Sequence, residues 1–398
     1  MIFFVVLITF PVMAGNKKDK KDEKKKEAYQ FTMLKDIPTT SVKNQYRSGT
    51  CWSFSATSFL ETELIRKGKS EVDLSEMFVV RNAYSEKAKR AVRWHGSLNF
   101  GGGGAFHDVT WVFKTFGAIP EAAYSGLNYG EEKHVHGEMD ALLGAYVKTV
   151  IENPNKKLST AWHRGLDGIL DAYLGEVPET FIVDGKEYTP KSYAEYLDLN
   201  MDDYVEIGSY THHPFYSQFI LEVPDNWMLD EINNVPMEDM MAIIENAINN
   251  GYSVGWGADV SEKGFSWKHG VAIVPNEDKP DIAGMESGKW EKLTTKERKK
   301  LVYSFDKPVA EKVITQEMRQ EQFDDYKTTD DHGMLLTGIA KDQNGNIFFK
   351  VKNSWSEKGS PYNGYFFASK AFVELKTIDF MVNKEAIPQA IKDKLGIK

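Results

Sequence analysis

The apolar pattern changes along the chain, and this change limits the folds that the chain can adopt. Helical patterns dominate the first part: Cys51–Arg66 has apolar residues at helical spacing, and Asp108–Phe116 and Met237–Asn250 are each followed by a glycine. Strand-like segments appear later, in Tyr252–Val260, Met334–Ile339, Asn346–Lys352 and Gly364–Ser369. Helices followed by strands predict an α+β fold with two lobes.

The beginning of the chain differs from the rest. Met1–Ala14 is almost wholly apolar and ends in a small-x-small pattern, which predicts a signal peptide, although it contains no Lys or Arg. The run is too short to span a membrane. Residues 15–29 form a charged linker with seven Lys and four acidic residues. We expect one folded domain over residues 30–398, with a helical insertion at about residues 131–250.

This N-terminal pattern predicts a secreted or periplasmic protein, or a cytoplasmic one if the apolar segment is not a signal peptide. The net charge is −9, and removing the linker's +3 leaves −12 on the rest of the chain. Because non-specific nucleic-acid binding requires a basic face, we expect no nucleic-acid partner.

Metal chemistry also has little support in the sequence. Cys51 is the only cysteine, which excludes an intramolecular disulfide and a cysteine-rich zinc site. His134 and His136, with Glu138 and Asp140, have residue types that bind zinc, but we expect a solvated loop there. We therefore expect no metal and no cofactor.

The cysteine stands where a helix is predicted to begin. The first N–H groups of a helix are unpaired and its dipole is positive at that end, so a thiolate is favoured there. Gln45 lies six residues before Cys51. Its side-chain amide could reach the same oxyanion as the backbone N–H of Cys51. This arrangement is typical of a nucleophilic thiol with oxyanion donors.

A nucleophilic thiol needs a base, and two similar segments offer His269 and His332. Only His332 opens a predicted hairpin, with Asn344-Gly345 as its turn and Asn353 at the end of the return strand. These two positions lie at the same end of an antiparallel pair, so we expect Asn353 to accept a hydrogen bond from His332. Trp355 would exclude water from that bond.

These segments resemble those of a known enzyme family. Asn44–Ala56, around Cys51, resembles the nucleophile segment of the papain superfamily, and Asp331–Gly333 and Lys352–Trp355 resemble its His and Asn segments. Cys51 and His332 are 281 residues apart, which resembles the wide spacing of the bleomycin hydrolase and bacterial aminopeptidase C branch. The resemblance implies a papain-like fold with a helical N-terminal lobe, an antiparallel β C-terminal lobe and large helical insertions.

The resemblance also implies roles for single residues. Cys51 is the expected nucleophile, His332 the acid and base, Asn353 the residue that orients His332, and Gln45 the oxyanion donor. In the glycine run 101–104, Gly102 and Gly103 are expected to hold a peptide substrate through their backbone, and Trp355 is expected in the substrate site. A flexible turn is the alternative interpretation of the four glycines.

The function implied by the resemblance is hydrolysis of peptide bonds through a thioester on Cys51, by an aminopeptidase of the bleomycin hydrolase type. A homo-oligomer, hexameric in that branch, is expected. The branch's C-terminal arm is not recognised in Met381–Lys398, so a papain-like endopeptidase or broad peptidase is an alternative. A non-catalytic binding or scaffold protein is the other alternative.

Overall fold

The computed structural model describes residues 28–277 and 293–398. The predicted signal peptide and nearly all of the charged linker lie outside these ranges. The chain divides into two units. The smaller unit comprises Met1–Gln30 and Pro275–Ala310, and its described helix, Thr295–Val302, begins after a capping Thr294. The larger unit comprises Phe31–Val274 and Glu311–Lys398. All candidate site residues belong to the larger unit.

The described helices agree closely with the sequence patterns. The predicted helix Cys51–Arg66 has those same bounds, and the helix predicted from Asp108 begins two residues earlier, at Phe106. In chain order the α-helices are α1 (Cys51–Arg66), α2 (Glu76–Arg93), α3 (Phe106–Phe116), α4 (Gly137–Ile151), α5 (Trp162–Leu174), α6 (Pro190–Leu197), α7 (Met237–Asn249), α8 (Thr295–Val302), α9 (Gln316–Asp324), α10 (Lys370–Lys376) and α11 (Gln389–Leu395).

The strands form one large mixed sheet and one small hairpin. They are β1 (Thr32–Asp36), β2 (Phe181–Val183), β3 (Lys186–Tyr188), β4 (Tyr204–Gly208), β5 (Gln218–Ile220), β6 (Glu231–Asn234), β7 (Val254–Ala258), β8 (Phe265–Ser266), β9 (Val271–Ala272), β10 (His332–Lys341), β11 (Ile347–Lys352), β12 (Tyr365–Ser369) and β13 (Thr377–Asn383). The large sheet has the order β5-β6-β4-β13-β7-β10-β11-β12-β9-β8, with β1 also paired to β10. Strands β2 and β3 pair only with each other among the described strands.

Two details of the predicted architecture need correction. The sheet is mainly antiparallel, but β4 pairs with β6 and β9 with β12 in parallel. The segment at about residues 131–250 contains α4 to α7 but also β2 to β6, so it is not purely helical. Three of these strands extend the main sheet. They are three to five residues long, too short to show a clear periodic pattern in the sequence.

Strand β10 lies inside the sheet and positions its first residue, His332. It pairs antiparallel with β7 along its first half and with β11 along most of its length. The predicted turn at Asn344-Gly345 joins β10 to β11, and Gly345 has a φ of +88°, which favours glycine. The hairpin thereby brings His332 and the residue after β11, Asn353, to the same end of the sheet.

Helix α1 lies between the sheet and the helical lobe. It packs on β10, β7, α2 and α3, and it is buried from Trp52 to Leu64. A helix that is buried on every side belongs to the interior. Its hydroxyl groups bond within the helix, as from Thr62 Oγ1 to the carbonyl of Ser58 at 2.8 Å, or to a neighbouring element, as from Ser53 Oγ to the carbonyl of Glu76 at 2.9 Å. The first residue of this internal helix is Cys51. None of the helices within residues 28–277 and 293–398 is both long and apolar enough to cross a membrane.

Candidate active site

The thiol of Cys51 stands at the first position of α1 and is half-buried. Burial raises the pKa of this thiol to about 12. Hydrogen bonds from the backbone of Gly333 and Trp52 lower the pKa in part, and the charges of Asp330 and Asp225 raise it further. The sequence predicted a lowered pKa from the helix start alone. Desolvation outweighs that effect here.

His332 and Asn353 form a buried pair, as the hairpin predicted. His332 Nε2 lies 2.7 Å from Asn353 Oδ1, and both side chains are buried. Because the amide oxygen accepts, Nε2 carries the proton and Nδ1 is left with a lone pair. Burial lowers the pKa of His332, although the bond to Asn353 and the charge of Asp331 partly raise it. The pair therefore favours a neutral imidazole with a fixed tautomer.

Trp355 covers the imidazole of His332. The two ring centroids are 4.7 Å apart and the rings are tilted by 29°. Phe265 and Trp267 meet the indole edge-on, with centroids at 5.9 and 5.4 Å. This packing encloses the imidazole in an apolar layer, as expected for a residue that excludes water.

Gln45 is buried and held at both ends of its amide. Its Oε1 accepts a hydrogen bond from Ser354 Oγ at 2.6 Å, and its Nε2 donates to the carbonyl of Ser48 at 2.9 Å. The backbone N–H of Gln45 also donates to the carbonyl of Ser354. An amide nitrogen has two hydrogens, and the bond to Ser48 uses one of them; the role of Gln45 as an oxyanion donor stays a prediction.

The glycine run is fixed by buried donors, which contradicts a flexible turn. Lys87 Nζ donates to the carbonyls on either side of Gly102, at 3.0 and 2.7 Å. The carbonyl of Gly102 itself accepts from Trp52 Nε1 and Tyr84 Oη, both at 3.0 Å. Gly103 lines the cavity beside Cys51, and Gly102 is absent from that lining within the described part of the chain. Gly103 therefore lies in the cavity wall, and the roles of Gly102 and Gly103 in holding a peptide substrate stay predictions.

A cavity of about 40 Å³ opens beside Cys51 and His332. Gly103 and Gly333 form part of its wall. The rest of its lining is mixed, with apolar side chains such as Leu221, Val223 and Ile232 beside five acidic residues: Glu206, Asp225, Asp330, Asp331 and Asp379. We call this the acidic cavity. Sequence reasoning missed these residues as a group, because they come from distant segments and share no motif. The only local signal was the pair Asp330-Asp331 just before His332.

Comparison with known proteins agrees with this geometry. The papain family of cysteine proteases matches residues 29–147, and the peptidase C1-like family matches residues 283–397. The aminopeptidase C of Listeria monocytogenes is 21% identical over 92% of this chain and 85% of its own length. The aminopeptidase C of Streptococcus thermophilus is 23% identical over 89% of this chain and 83% of its own length.

Among solved structures, pepw from Lactobacillus rhamnosis matches with a TM-score of 0.66 and 19% identity, over 92% of this chain and 84% of that one. The chain belongs to the papain superfamily of cysteine peptidases. Within the superfamily its relatives are of the aminopeptidase C branch, as the residues around Cys51, His332 and Asn353 predicted.

The other histidines singled out in the sequence of this papain-superfamily protein, His269, His134 and His136, do not line the cavity. His269 lies in an exposed turn, with its Nδ1 2.7 Å from Ser266 Oγ. His134 and His136 are buried, not on a solvated loop as predicted, and burial lowers the pKa of each to about 4. The group with metal-binding spacing in the described ranges is instead His212, His213 and Glu222.

In that group, the hydrogen-bond network puts a proton on a nitrogen that a metal ion would need as a ligand. The Nδ1 of His212 lies 2.9 Å from Gln320 Nε2, which donates to it, because Gln320 Oε1 already accepts from the N–H of Thr211. His212 therefore carries its proton on Nε2, the atom that faces Glu222 at 3.0 Å. A metal at this position would have to displace that proton.

Proposed function

We propose that this papain-superfamily protein is an aminopeptidase that hydrolyses peptide bonds through a thioester on Cys51. The observation that supports it is the buried His332–Asn353 pair at the mouth of a cavity that Cys51 also lines. The similarity to proteins named aminopeptidase C over most of their length supports the exopeptidase assignment.

The first half of the reaction forms the thioester. His332 Nδ1 takes the proton of the Cys51 thiol as the sulfur attacks the carbonyl carbon of the scissile bond. The carbonyl oxygen becomes an oxyanion, and the backbone N–H of Cys51 and the second amide N–H of Gln45 are its proposed donors. The C–N bond then breaks, and the leaving amine receives the proton from His332.

The second half releases the acid. A water molecule attacks the thioester carbon while His332 accepts one of its protons, and the oxyanion forms again beside the same donors. The C–S bond breaks, and the sulfur of Cys51 regains its proton. Asn353 keeps the imidazole in the required tautomer throughout. Because the pKa of Cys51 is raised and that of His332 lowered, the resting pair is a neutral thiol and a neutral imidazole.

Substitution of the two proposed reacting residues tests the mechanism. We expect Cys51→Ala and His332→Ala each to lower kcat/KM on a peptide amide by at least about 1,000-fold. His269→Ala is the matched control, since this exposed histidine is outside the cavity, and it should keep full activity. Turnover by Cys51→Ala at the parent rate would reject the mechanism.

A pair of fluorogenic amides tests the exopeptidase assignment. The two substrates share one amino acid and one leaving group, and differ only in a free or an acetylated amine. An aminopeptidase cleaves the free-amine substrate preferentially. Efficient cleavage of the acetylated one would instead identify an endopeptidase or a broad peptidase. If neither is cleaved although Cys51 is intact, the protein is a binding or scaffold member of the superfamily.

We also propose where the protein is located and how it assembles. The apolar segment Met1–Ala14 supports export, which N-terminal sequencing of the mature protein tests. A homo-oligomer is proposed by analogy with the branch, and light scattering measures it. The charge of −12 outside the linker supports the absence of a nucleic-acid partner. A gel shift that weakens with salt would contradict this.

A further inference from the structure

The acidic cavity holds more negative than positive charge. Five carboxylates line it, from Glu206, Asp225, Asp330, Asp331 and Asp379. The positive groups near them are His107 of α3, which also lines the cavity, and Lys87 of α2. Asp108, next to His107, adds another carboxylate behind the wall. Two basic groups therefore stand near six carboxyl groups, and a positive charge in the cavity would be attracted to each of these carboxyl groups that is ionised.

Glu206 of β4 offers an unused acceptor. The residue is 7% exposed. Its Oε2 lies 3.0 Å from His107 Nδ1, and its Oε1 is buried without a hydrogen-bond partner among the described residues. Burial lowers the pKa of His107, but Glu206 and Asp108 raise it more, to about 10, so this imidazolium offsets one carboxylate only. A buried carboxylate oxygen with no donor is costly unless something donates to it.

Two other carboxylates occupy space that glycines leave open. A Cβ added to Gly257 of β7 would overlap Asp379 Oδ1, and one added to Gly103 would overlap the carboxylate of Asp225. Asp225 also accepts a hydrogen bond from Asn99 Nδ2 at 3.1 Å. Both carboxylates are thus accommodated by the absence of side chains in the opposite wall, and both face the same small space.

In the free protein, burial and the closeness of the carboxyl groups disfavour their ionised forms. Burial raises the pKa of Asp330 to about 7, and repulsion by Asp225, Asp331 and Glu206 adds to this rise. Burial and then repulsion by Glu206 and Asp330 raise the pKa of Asp379 well above its ordinary value. The Oδ2 of Asp331 accepts hydrogen bonds from the N–H of Val260 and from Ser261 Oγ.

We propose that the acidic cavity binds a positively charged group of the peptide, on the acyl side of the scissile bond, through Glu206, Asp330 and Asp379. The volume of about 40 Å³ suits an ammonium group, which is about the size of a water molecule. The group is either the α-ammonium of the substrate or the side-chain ammonium of a lysine. This inference rests on the proposed peptidase function, because it names part of the substrate.

The cation also acts on the nucleophile. Asp330 and Asp225 are the charges that raise the pKa of Cys51, and a cation bound between the carboxylates and the sulfur opposes them. Binding of the correct substrate therefore makes the thiol more acidic as the carbonyl arrives. A neutral substrate leaves the thiol in its less reactive form.

Four fluorogenic substrates with one leaving group test the cavity. They are alanine amide, acetyl-alanine amide, acetyl-leucyl-alanine amide and acetyl-lysyl-alanine amide. We expect a cationic substrate to exceed its neutral counterpart at least tenfold in kcat/KM. A preference for alanine amide identifies the α-ammonium, and a preference for acetyl-lysyl-alanine amide identifies the side chain.

Two variants and one control locate the effect. Asp379→Asn, and independently Asp330→Asn, should lower the ratio of kcat/KM on the preferred cationic substrate to kcat/KM on its neutral counterpart about tenfold. Asp202→Asn, at an exposed carboxylate outside the cavity, should change neither. Thermal unfolding establishes that each variant is folded. If Asp379→Asn does not fold, Asp330→Asn decides the test. An equal loss on cationic and neutral substrates, or no loss, would overturn the proposal.

Alkylation of Cys51 provides a readout that does not need turnover. Methylammonium chloride should raise the rate of alkylation by iodoacetamide about threefold over the same concentration of sodium chloride, and Asp379→Asn should abolish this difference. Identical rates in the two salts would overturn the cation site. If the parent hydrolyses no peptide, the proposed function fails, and the alkylation rates still decide whether the cavity binds a cation.

Discussion

Two clusters of carboxyl side chains in the larger unit differ in the partners that they have. In the first, which we call the paired cluster, Lys43 Nζ lies 2.6 Å from Glu76 and 3.3 Å from Glu61. Thr40 Oγ1 donates to Glu61 at 2.6 Å, and Lys352 Nζ donates to Thr40 at 3.0 Å. In the acidic cavity, by contrast, carboxylates face one another and Glu206 Oε1 is unpaired among the described side chains.

The comparison separates a structural role from a functional one. Burial lowers the pKa of Lys43, but Glu76, Glu61 and Asp73 raise it further than burial lowers it. Burial and repulsion by Glu61 raise the pKa of Glu76 to about 7 against the attraction of Lys43, so Lys43 is the group that holds the paired cluster together. The carboxylates of the acidic cavity repel one another and lower the stability of the free protein. Groups that cost stability are retained where they act on a ligand. Three measurements of the free energy of unfolding test this distinction.

The largest effect is expected in the paired cluster. Lys43→Met leaves the buried Glu61 and Glu76 without their main cation, and should lower the free energy of unfolding by about 3–5 kcal/mol. The measurement is urea denaturation at neutral pH. Lys350→Met is the control, since Lys350 pairs with the half-exposed Asp36 and should cost at most about 1 kcal/mol. Equal losses in the two variants would remove the distinction between buried and surface pairs.

A smaller effect is expected where a glycine makes room for a cavity carboxylate. The added Cβ of Gly257→Ala overlaps Asp379 Oδ1 and should cost about 1–3 kcal/mol, together with a loss of preference for cationic substrates. Gly144→Ala is the control in α4, because its Cβ meets no atom within 4 Å; it should gain about 0.5–1 kcal/mol of stability. If Gly257→Ala leaves both the free energy of unfolding and the substrate preference unchanged, the position of Asp379 is unimportant.

A third effect depends on pH. The pKa of Asp330 is raised to about 7, above its unfolded value of about 3.9. The stabilisation from its protonation is therefore complete below about pH 4 and is lost as the pH rises to about 7. Asp330→Asn should match the parent in stability at pH 4 and exceed it at pH 8, as measured by thermal unfolding curves.

Asp202→Asn provides the opposite sign for the same experiment. Lys114 lowers the pKa of Asp202, so its contribution to stability is present at neutral pH and is lost in acid. The variant should be slightly less stable than the parent at pH 8. If Asp330→Asn behaves like Asp202→Asn, the carboxylates of the cavity are stabilised by partners and the comparison fails.

The features predicted correctly from the sequence are those that a short local pattern determines. The bounds of α1, the β10–β11 hairpin and the bond between His332 and Asn353 all follow from short segments with clear periodicity or turn residues. The strands β4 to β6 were missed, because three to five residues carry too little pattern. The family and the enzyme class were predicted from the same short segments and are confirmed by the comparisons.

Properties that depend on packing could not be predicted. Glu206 is on β4 and Asp379 is on β13, and only the sheet pairing brings them to one cavity with Asp330. The raised pKa of Cys51 has the same origin, since the helix start is visible in the sequence but the enclosure of the thiol is not. The roles of Gln45, His332 and Asn353 in catalysis stay predictions until the variants are measured.

The position of His332 at the first residue of β10 affects how the protein loses activity on heating. Strand β10 is hydrogen-bonded to β7, β11 and β1, so its amide hydrogens should exchange with deuterium only when the whole domain opens. Fraying of peripheral segments such as β2 and β3 leaves this strand in register. Heat inactivation should therefore follow global unfolding, with the imidazole in place until the last cooperative step.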